Sequence, residues 1–362
     1  GDADCAEQIS AWLDARKITS LDLLINNAAL GYVGSVGEQS ASSIRTLEAV
    51  NLRAPIAITH RLLARVEQAA GRVVFIGSVA SVLPSPTYAV YSATKAALDA
   101  FVRSLQVELG ATNSPARALM IHPGATRTGM HAKTGVTREQ LDWTKFTPAE
   151  TVAAQIAAQV DGRRRTAAVG LTNNLAYQSL RRWPEPLEWA MHRQGTKAIR
   201  GQGERHCVIT GGADGIGRAL VLAFGADGYR ITAIDRDPEQ SMRTQAELIN
   251  SGGRGRFLVA DLRDENDLAR VLRTLAERPP IDVLIHNAGI SAAGLFARLP
   301  LDGQLAVLDV NFLAPLLLTQ GVLAGGLLTD EATLVFISSL SHFAGYPGAA
   351  VYAASKAGVA SY

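Results

Sequence analysis

One pattern occurs twice in these 362 residues. Ser78 stands 13 residues before Tyr91, and Ser339 stands 13 residues before Tyr352. A lysine follows each tyrosine by four, at Lys95 and Lys356, although the chain has only 6 lysines. These positions match at an offset of 261. Asp22-Leu-Leu-Ile-Asn-Asn-Ala-Ala29 also matches Asp282-Val-Leu-Ile-His-Asn-Ala-Gly289, and Asn51 matches Asn311, both at an offset of 260. A chain with such a repeat folds as two versions of one unit, so the architecture of one copy constrains the other.

The spacing has a chemical use. On a helix, residues four apart share a face, so the phenol and the ammonium converge. A free tyrosine titrates near 10, too high for proton transfer at neutral pH. A nearby ammonium favours phenolate and lowers that value; a drop of ~3 units corresponds to roughly 4 kcal/mol. A lone Tyr-x-x-x-Lys reads more simply as a core aromatic beside a surface lysine. Two such pairs, each with a serine at the same distance, argue against coincidence.

Short β-branched runs alternate with helical ones. In the first copy Leu21–Ile25, Arg72–Ile76, Ala116–Ile121 and Thr166–Gly170 read as strands. Residues 5–17, 40–69, Tyr91–Leu109 and Pro148–Val160 read as helices, with a break or start at Pro55 and a cap at Thr147. In the second copy Cys207–Ile209, Arg230–Ile234, Phe257–Ala260, Ile281–Ile285 and Thr333–Ile337 read as strands. This alternation predicts βαβ units: an α/β fold with a doubly wound, Rossmann-like parallel sheet, present as two partial copies in tandem. Residues 193–206 are polar and glycine-rich and read as a linker between a unit over 1–192 and a unit over 207–362. The polar stretch 126–147 suits a loop over a site, and 171–192 reads as an apolar tail.

The second copy opens with a strand running into Thr210-Gly211-Gly212-Ala213-Asp214-Gly215-Ile216-Gly217, with a helix expected from Arg218. A glycine-rich turn between strand and helix holds a dinucleotide pyrophosphate, since glycine permits close backbone approach and the helix end supplies donors. Asp235 follows Gly217 by 18 residues, where a carboxylate bonds the adenosine ribose hydroxyls. Asp235 repels a 2′-phosphate and favours NAD; Arg236 beside it is able to bind that phosphate, which leaves NADP open. Asp261, at the end of the third strand, joins the same cofactor-binding group.

With these residues in place, the chain resembles the short-chain dehydrogenase/reductase family twice over. Thr210, Gly211, Gly215 and Gly217 match the family's cofactor turn. Asn287-Ala288-Gly289, and Asn27 and Ala28 in the first copy, match its sheet-stabilising segment. Asn51, Ser78, Tyr91 and Lys95 match its catalytic tetrad, as do Asn311, Ser339, Tyr352 and Lys356. Pro123-Gly124 with Thr128 matches the segment that contacts nicotinamide. The resemblance implies interconversion of an alcohol and a ketone or aldehyde by hydride transfer. Tyrosine acts as acid or base, lysine lowers its pKa and bonds the ribose, serine polarises the carbonyl, and asparagine holds a relay water. It also implies helix pairing, either between the two units as a pseudo-dimer or between chains.

The departures from the family pattern set further expectations. The first copy shows no glycine-rich turn, and the second lacks a Pro-Gly segment and substrate loop. His286 replaces an asparagine, and Ala29 a glycine. These point to a fragment of a tandem double dehydrogenase. Two alternatives stand beside that reading. One is a cofactor-binding or dimerisation module without turnover. The other is a circular permutant, in which 207–260 supplies the first three strands to 1–192. A net charge of +2 gives no electrostatic pointer to nucleic acid. Cys5 and Cys207 form no disulfide or metal pattern, no signal peptide is visible, and a reduced, cytoplasmic setting fits. The apolar stretch Leu305–Leu328 is interrupted by Asn311, Pro315, Thr319, Gln320 and three glycines, and reads as a buried helix plus a turn rather than a membrane span.

Overall fold

A computed structural model describes residues 4–82, 86–128, 130, 146–160, 165–169 and 205–362. The 193–204 part of the expected linker, the 171–192 tail and most of the 126–147 loop lie outside the described residues. The chain divides into two compact units. One gathers the described residues before 170 with 291–306 and 339–362; the other gathers 205–290 and 307–338. Ser339, Tyr352 and Lys356, though part of the second copy in sequence, thus belong with the unit that holds the first copy.

The first unit runs α1 (Cys5–Ala15), β1 (Leu23–Asn26), α2 (Ala41–Glu48), a π-helical turn (Ala49–Arg53), α3 (Ala54–Gln68), β2 (Arg72–Ile76), α4 (Ala89–Ala111) and β3 (Arg117–His122). Then follow β4 (Thr126–Arg127), β5 (Thr147–Pro148), α5 (Ala149–Val160) and β6 (Thr166–Ala168). Four strands form a parallel sheet in the order β1-β2-β3-β6. Val74, Leu119 and Ile121 from that sheet pack with Val152 of α5. Thr147, expected to cap α5, instead pairs with Thr126 in the β4–β5 ladder, and the helix begins at Ala149.

In the second unit β7 (His206–Thr210), α6 (Gly215–Ala226), β8 (Arg230–Asp235), α7 (Pro238–Asn250) and β9 (Arg254–Val259) are followed by α8 (Glu265–Ala276) and β10 (Ile281–His286). The chain goes on through α9 (Leu301–Leu308), a second π-helical turn (Asp309–Leu313), α10 (Ala314–Ala324), β11 (Leu328–Phe336) and α11 (Ala350–Ser361). Asp237 and Asp264 cap α7 and α8, each carboxylate accepting two backbone N–H groups. The parallel sheet has the order β11-β10-β7-β8-β9. Since β7 pairs with β10 and β8, the permuted arrangement is excluded: the strands of 207–260 are built into their own sheet. The switch in strand order beside β7 opens a crevice at the carboxyl ends of β7, β8 and β10, where open α/β sheets bind ligands. The helical run Leu301–Ala324 has the length and apolar composition of a membrane span, but 67% of its most apolar window is buried inside the protein.

Both π-helical turns have the same cause. Pro55 and Pro315 sit in the first turn of the following helix. Proline has no N–H to return to the carbonyl four residues earlier, which is Asn51 in one copy and Asn311 in the other, and the helix widens at that point.

His286 explains its own departure from the pattern. In the first copy Asn26 Nδ2 donates to Thr59 Oγ1 at 3.3 Å. In the second, His286 Nε2 meets the corresponding Thr319 Oγ1 at 2.9 Å, and its ring stacks on Phe336. The two side chains do one job, tying the end of a strand to the helix after the π-turn. Burial drives the His286 pKa down to about 3. The unfolded chain therefore takes up a proton near the ordinary histidine value of 6.5 that the folded chain refuses. Stability contributed above that pH is lost as pH falls from about 6.5 toward 3, at up to ~1.4 kcal/mol per pH unit. His286→Asn, which installs the first copy's residue, is expected to flatten this acid limb by about one proton. Urea unfolding between pH 4 and 7 measures it; an unchanged slope would show that His286 is not held neutral by the fold.

Candidate active site

In the first copy the tetrad residues lie on three elements. Ser78 follows β2, Tyr91 and Lys95 lie on α4, and Asn51 lies in the π-turn. Ser78 is extended (φ −162°), and its Oγ accepts from the Ala80 N–H at 3.1 Å, which fixes the hydroxyl at the mouth of the turn. The same hydroxyl favours the ionised form of Tyr91. Lys95 Nζ donates to the Ile76 carbonyl at 3.0 Å and stands 5.9 Å from the centre of the Tyr91 ring. Tyr91 and Lys95 therefore lie side by side on α4, with Ser78 at the mouth of the turn after β2.

The electrostatics do not follow the sequence expectation. Burial raises the Tyr91 pKa above its ordinary value; the Ser78 hydroxyl opposes this, and Tyr88 adds to it. Burial also brings Lys95 down to about 8. Burial, not the ammonium four residues on, sets the direction of the Tyr91 shift. The sequence showed the spacing of the pair but not its burial.

The side chain of Asn51 is committed to the backbone. Its Nδ2 donates to the Leu30 carbonyl at 2.9 Å and to Thr94 Oγ1 at 3.2 Å, and its Oδ1 accepts from the Leu30 N–H at 2.8 Å. Asn311 clasps Ile290 identically, accepting its N–H at 2.8 Å and donating to its carbonyl at 2.9 Å. Pro123 accepts from the Val79 N–H and Gly124 from Thr126 Oγ1, while Thr128 is exposed. Asn27 and Ala28 are exposed beyond the end of β1.

Within 339–362 the same local design recurs. Ser339 is extended (φ −152°), and its Oγ accepts from the Ser341 N–H at 3.2 Å. On α11, Lys356 Nζ stands 6.0 Å from the centre of the Tyr352 ring, and burial lowers its pKa.

In the second unit, Thr210 through Gly217 form the strand–turn–helix with α6 starting at Gly215, three residues earlier than the sequence suggested. Gly211 and Gly215 take positive φ, +65° and +53°. A Cβ on Gly217 would lie 1.8 Å from the Gly211 carbonyl oxygen, whereas one at Gly215 would meet nothing within 4 Å. The turn is thus closed on its packed side and open outward, a cradle into which phosphate fits. Ile216 is 63% exposed beside it. Asn287 Nδ2 donates to the carbonyls of Thr210 and Gly211, and Thr210 Oγ1 accepts from the N–H groups of Asn287 and Ala288.

A cleft of about 370 Å³ runs from this turn past Asp235, Arg236 and Asp261 to Ala288, Gly289 and Ile290. The Asp235 carboxylate is held by the N–H groups of Ala213 and Asp237, at 3.0 and 3.1 Å. Arg263 grips Asp261 and keeps its carboxyl below the ordinary range. Sequence reasoning missed Leu262, Ile290 and Val310, which form apolar parts of the wall. Only the positions of Leu262 and Ile290 just past strand ends could have flagged them; Val310, in the π-helical turn, carried no such signal. The donor set, the open glycine and the fixed carboxylate fit a dinucleotide.

The short chain dehydrogenase family model matches residues 2–139 and 205–362. The chain is 31% identical over 157 residues to a 3-oxoacyl-[acyl-carrier-protein] reductase of Synechocystis sp., covering 43% of this chain and 64% of that protein. It is 33% identical over 154 residues to the 3-oxoacyl-[acyl-carrier-protein] reductase FabG of Thermotoga maritima, covering 42% and 63%. It therefore spans a little under two thirds of the length of these relatives. Among solved structures, an N-terminal ketoreductase from a macrolactin assembly line aligns over 98% of this chain and 63% of its own, with a TM-score of 0.59 at 13% identity, which speaks for the fold alone. The family match takes in both copies of the repeat, and the chain belongs to the short-chain dehydrogenase family.

Proposed function

We propose that the chain is part of an NAD(P)-dependent oxidoreductase that interconverts an alcohol and a ketone or aldehyde. The observation that carries this is the Tyr91–Lys95 pair on α4 beside the Ser78 turn, with the same serine turn and Tyr–Lys pair built again at Ser339, Tyr352 and Lys356. Asn51 and Asn311 complete each set. The relatives named 3-oxoacyl-[acyl-carrier-protein] reductases support a carbonyl as the group acted on.

The glycine turn would hold the pyrophosphate on the α6 N–H groups of Ile216 and Gly217, with Asp235 at the ribose hydroxyls. Arg236 and Asp261 stand beside it. When bound, the nicotinamide group gives or takes the hydride. The chain's own part is to hold the carbonyl oxygen and move a proton. The serine hydroxyl donates to that oxygen and orients it. The buried phenol gives its proton to the oxygen as the alcohol forms. The lysine ammonium holds a positive charge near the phenol and bonds the ribose. The backbone carbonyl of Asn51, deprived of its ordinary helical donor by Pro55, is the place for a relay water. Pro123, Gly124 and Thr128 would border the nicotinamide in the first copy.

One observation favours a division of labour. Among the described residues the first copy has no glycine-rich turn, and Asn27, which would stabilise one, is exposed. In that reading the second copy does the chemistry, and α4 of the first serves as a packing surface within an internal pseudo-dimer. Tyr91→Phe and Tyr352→Phe separate the two. Each keeps the ring and its packing but removes the proton, so a working site is expected to lose ~10²–10⁴-fold in turnover with cofactor affinity unchanged. Loss with Tyr352→Phe alone assigns the chemistry to the second copy. Full activity in the double variant would sink the dehydrogenase reading.

For the cofactor, Asp235 argues for NAD over NADP. Asp235→Ala is expected to narrow the difference in binding free energy by about 1–2 kcal/mol, the scale of a hydrogen bond to a charged acceptor. Titration of both nucleotides by fluorescence checks this. Tighter NADP binding by the unaltered protein would hand the choice to Arg236.

A further inference from the structure

The face of α4 that carries Tyr91 and Lys95 continues, at the same four-residue step, through Asp99 and Arg103. Neither is used by the chemistry above, and both are largely buried, with side chains 7% and 18% exposed. Asp99 joins two partners. Its Oδ1 meets His122 Nε2 at 3.2 Å, and its Oδ2 pairs with Arg103 Nε at 3.1 Å. The other ring nitrogen of His122, Nδ1, meets the Ser78 carbonyl at 3.1 Å. On the far side, Arg103 donates to the carbonyls of His342 (3.1 Å) and Phe343 (3.2 Å). His342 in turn bonds the Ser339 carbonyl through Nδ1. A continuous polar chain thus leads from the backbone of Ser78 to the backbone of Ser339, inside one compact unit.

We propose that Arg103, a residue of the first copy, is a positioning residue for the Ser339 turn of the second, and that through Asp99 and His122 it couples that turn to Ser78. The proposal rests on the reading of both serines as carbonyl-orienting groups. A guanidinium is suited to the place. Its planar fork reaches two successive carbonyls while its Nε faces the carboxylate, which a lysine cannot do. The segment it grips has few other rigid supports. Leu340 and Phe343 are 82% and 69% exposed, so apolar burial does little to hold the turn. Nearby, the Tyr346 N–H donates to Ser104 Oγ at 3.3 Å and the Gly348 N–H to Glu108 Oε2 at 3.2 Å, so α4 meets the segment at three heights. Two serine turns of the same shape are thus fixed to one helix, and a shift of either reaches the other through side chains with little freedom to absorb it.

The test uses the full chain with Arg103→Met and Arg103→Lys, read by hydrogen exchange of peptides covering 340–349 and 77–82. Methionine keeps the aliphatic stem but removes all five donors; lysine keeps the charge toward Asp99 but not the fork. Exchange in 340–349 is expected to rise about tenfold with methionine and less with lysine, the scale of losing bonds from a charged donor. A smaller rise in 77–82 is expected with it. Unchanged exchange in 340–349 in a folded variant overturns the positioning role, and a rise there with none in 77–82 overturns the coupling. If methionine unfolds the chain, the lysine variant decides by the same readout. In a Tyr91→Phe background, Arg103→Met is expected to lower kcat about tenfold with KM and nucleotide Kd unchanged; a loss in KM alone overturns the positioning role. Absence of turnover in the unaltered chain would count against the dehydrogenase reading, while exchange still decides the positioning role.

Discussion

The burial of α4 on nearly every side is the constraint on which the rest of the first unit depends. From Val90 to Leu109 the helix exposes almost nothing, yet it carries Lys95, Asp99, Gln106 and Glu108. Polar groups taken from water cost several kcal/mol unless they are bonded. Each of these is bonded, and the bonds fix where the helix lies. Lys95 is tied to the Ile76 carbonyl at the end of β2. Gln106 donates to the carbonyls of Ala118 and Arg165, beside β3 and β6. Asp99 reaches His122 at the end of β3. The groups that make α4 expensive to bury are therefore the same ones that fix it against the strand ends beside Ser78.

The geometry of the serine turn, the asparagine clasp and the Tyr–Lys pair is written locally, which is why it appears twice. A serine entering a 3₁₀ turn, a proline four residues after an asparagine, and a Tyr–Lys step on a helix each fix their own shape. Both asparagines clasp the backbone of the residue after the Asn-Ala segment at nearly equal distances. The cofactor turn is different in kind. Its shape needs the carbonyl of Gly211 packed against Gly217 and the amide of Asn287 from a neighbouring strand.

This difference accounts for what could be read from the sequence. The repeat, the parallel α/β architecture, the strands and the shared face of each Tyr–Lys pair were legible, because periodicity and spacing carry them. The start of α6 at Gly215 was not, since glycine's poor helix propensity argued for a later start and the Asp214 cap overrode it. Thr147 looked like a cap until the β4–β5 ladder claimed it. The direction of the Tyr91 shift was misjudged because spacing shows a neighbour's charge but not the loss of water around both groups. His286 looked like a defect, and its equivalence to Asn26 became visible only when Thr59 and Thr319 were seen in matching places.

The sharpest evidence for what context adds comes from one strand read twice. Leu23 and Ile25 of β1 are 42% and 49% exposed, whereas Ile285, the counterpart of Ile25 in β10, is 2% exposed. The sequences are nearly the same, and the difference is β7, which lies against β10 in the second sheet. The following asparagine behaves in step: Asn287 bonds the turn after β7, and Asn27 stands exposed. The Tyr91–Lys95 pair of the first copy is placed nonetheless, with Ser78 at the mouth of the turn after β2. Among the described residues it owes nothing to a nucleotide turn. The two halves of this kind of site are therefore physically separable, one fixed by helix α4 and its polar contacts, the other by the strand that happens to lie next to the Asn-Ala segment.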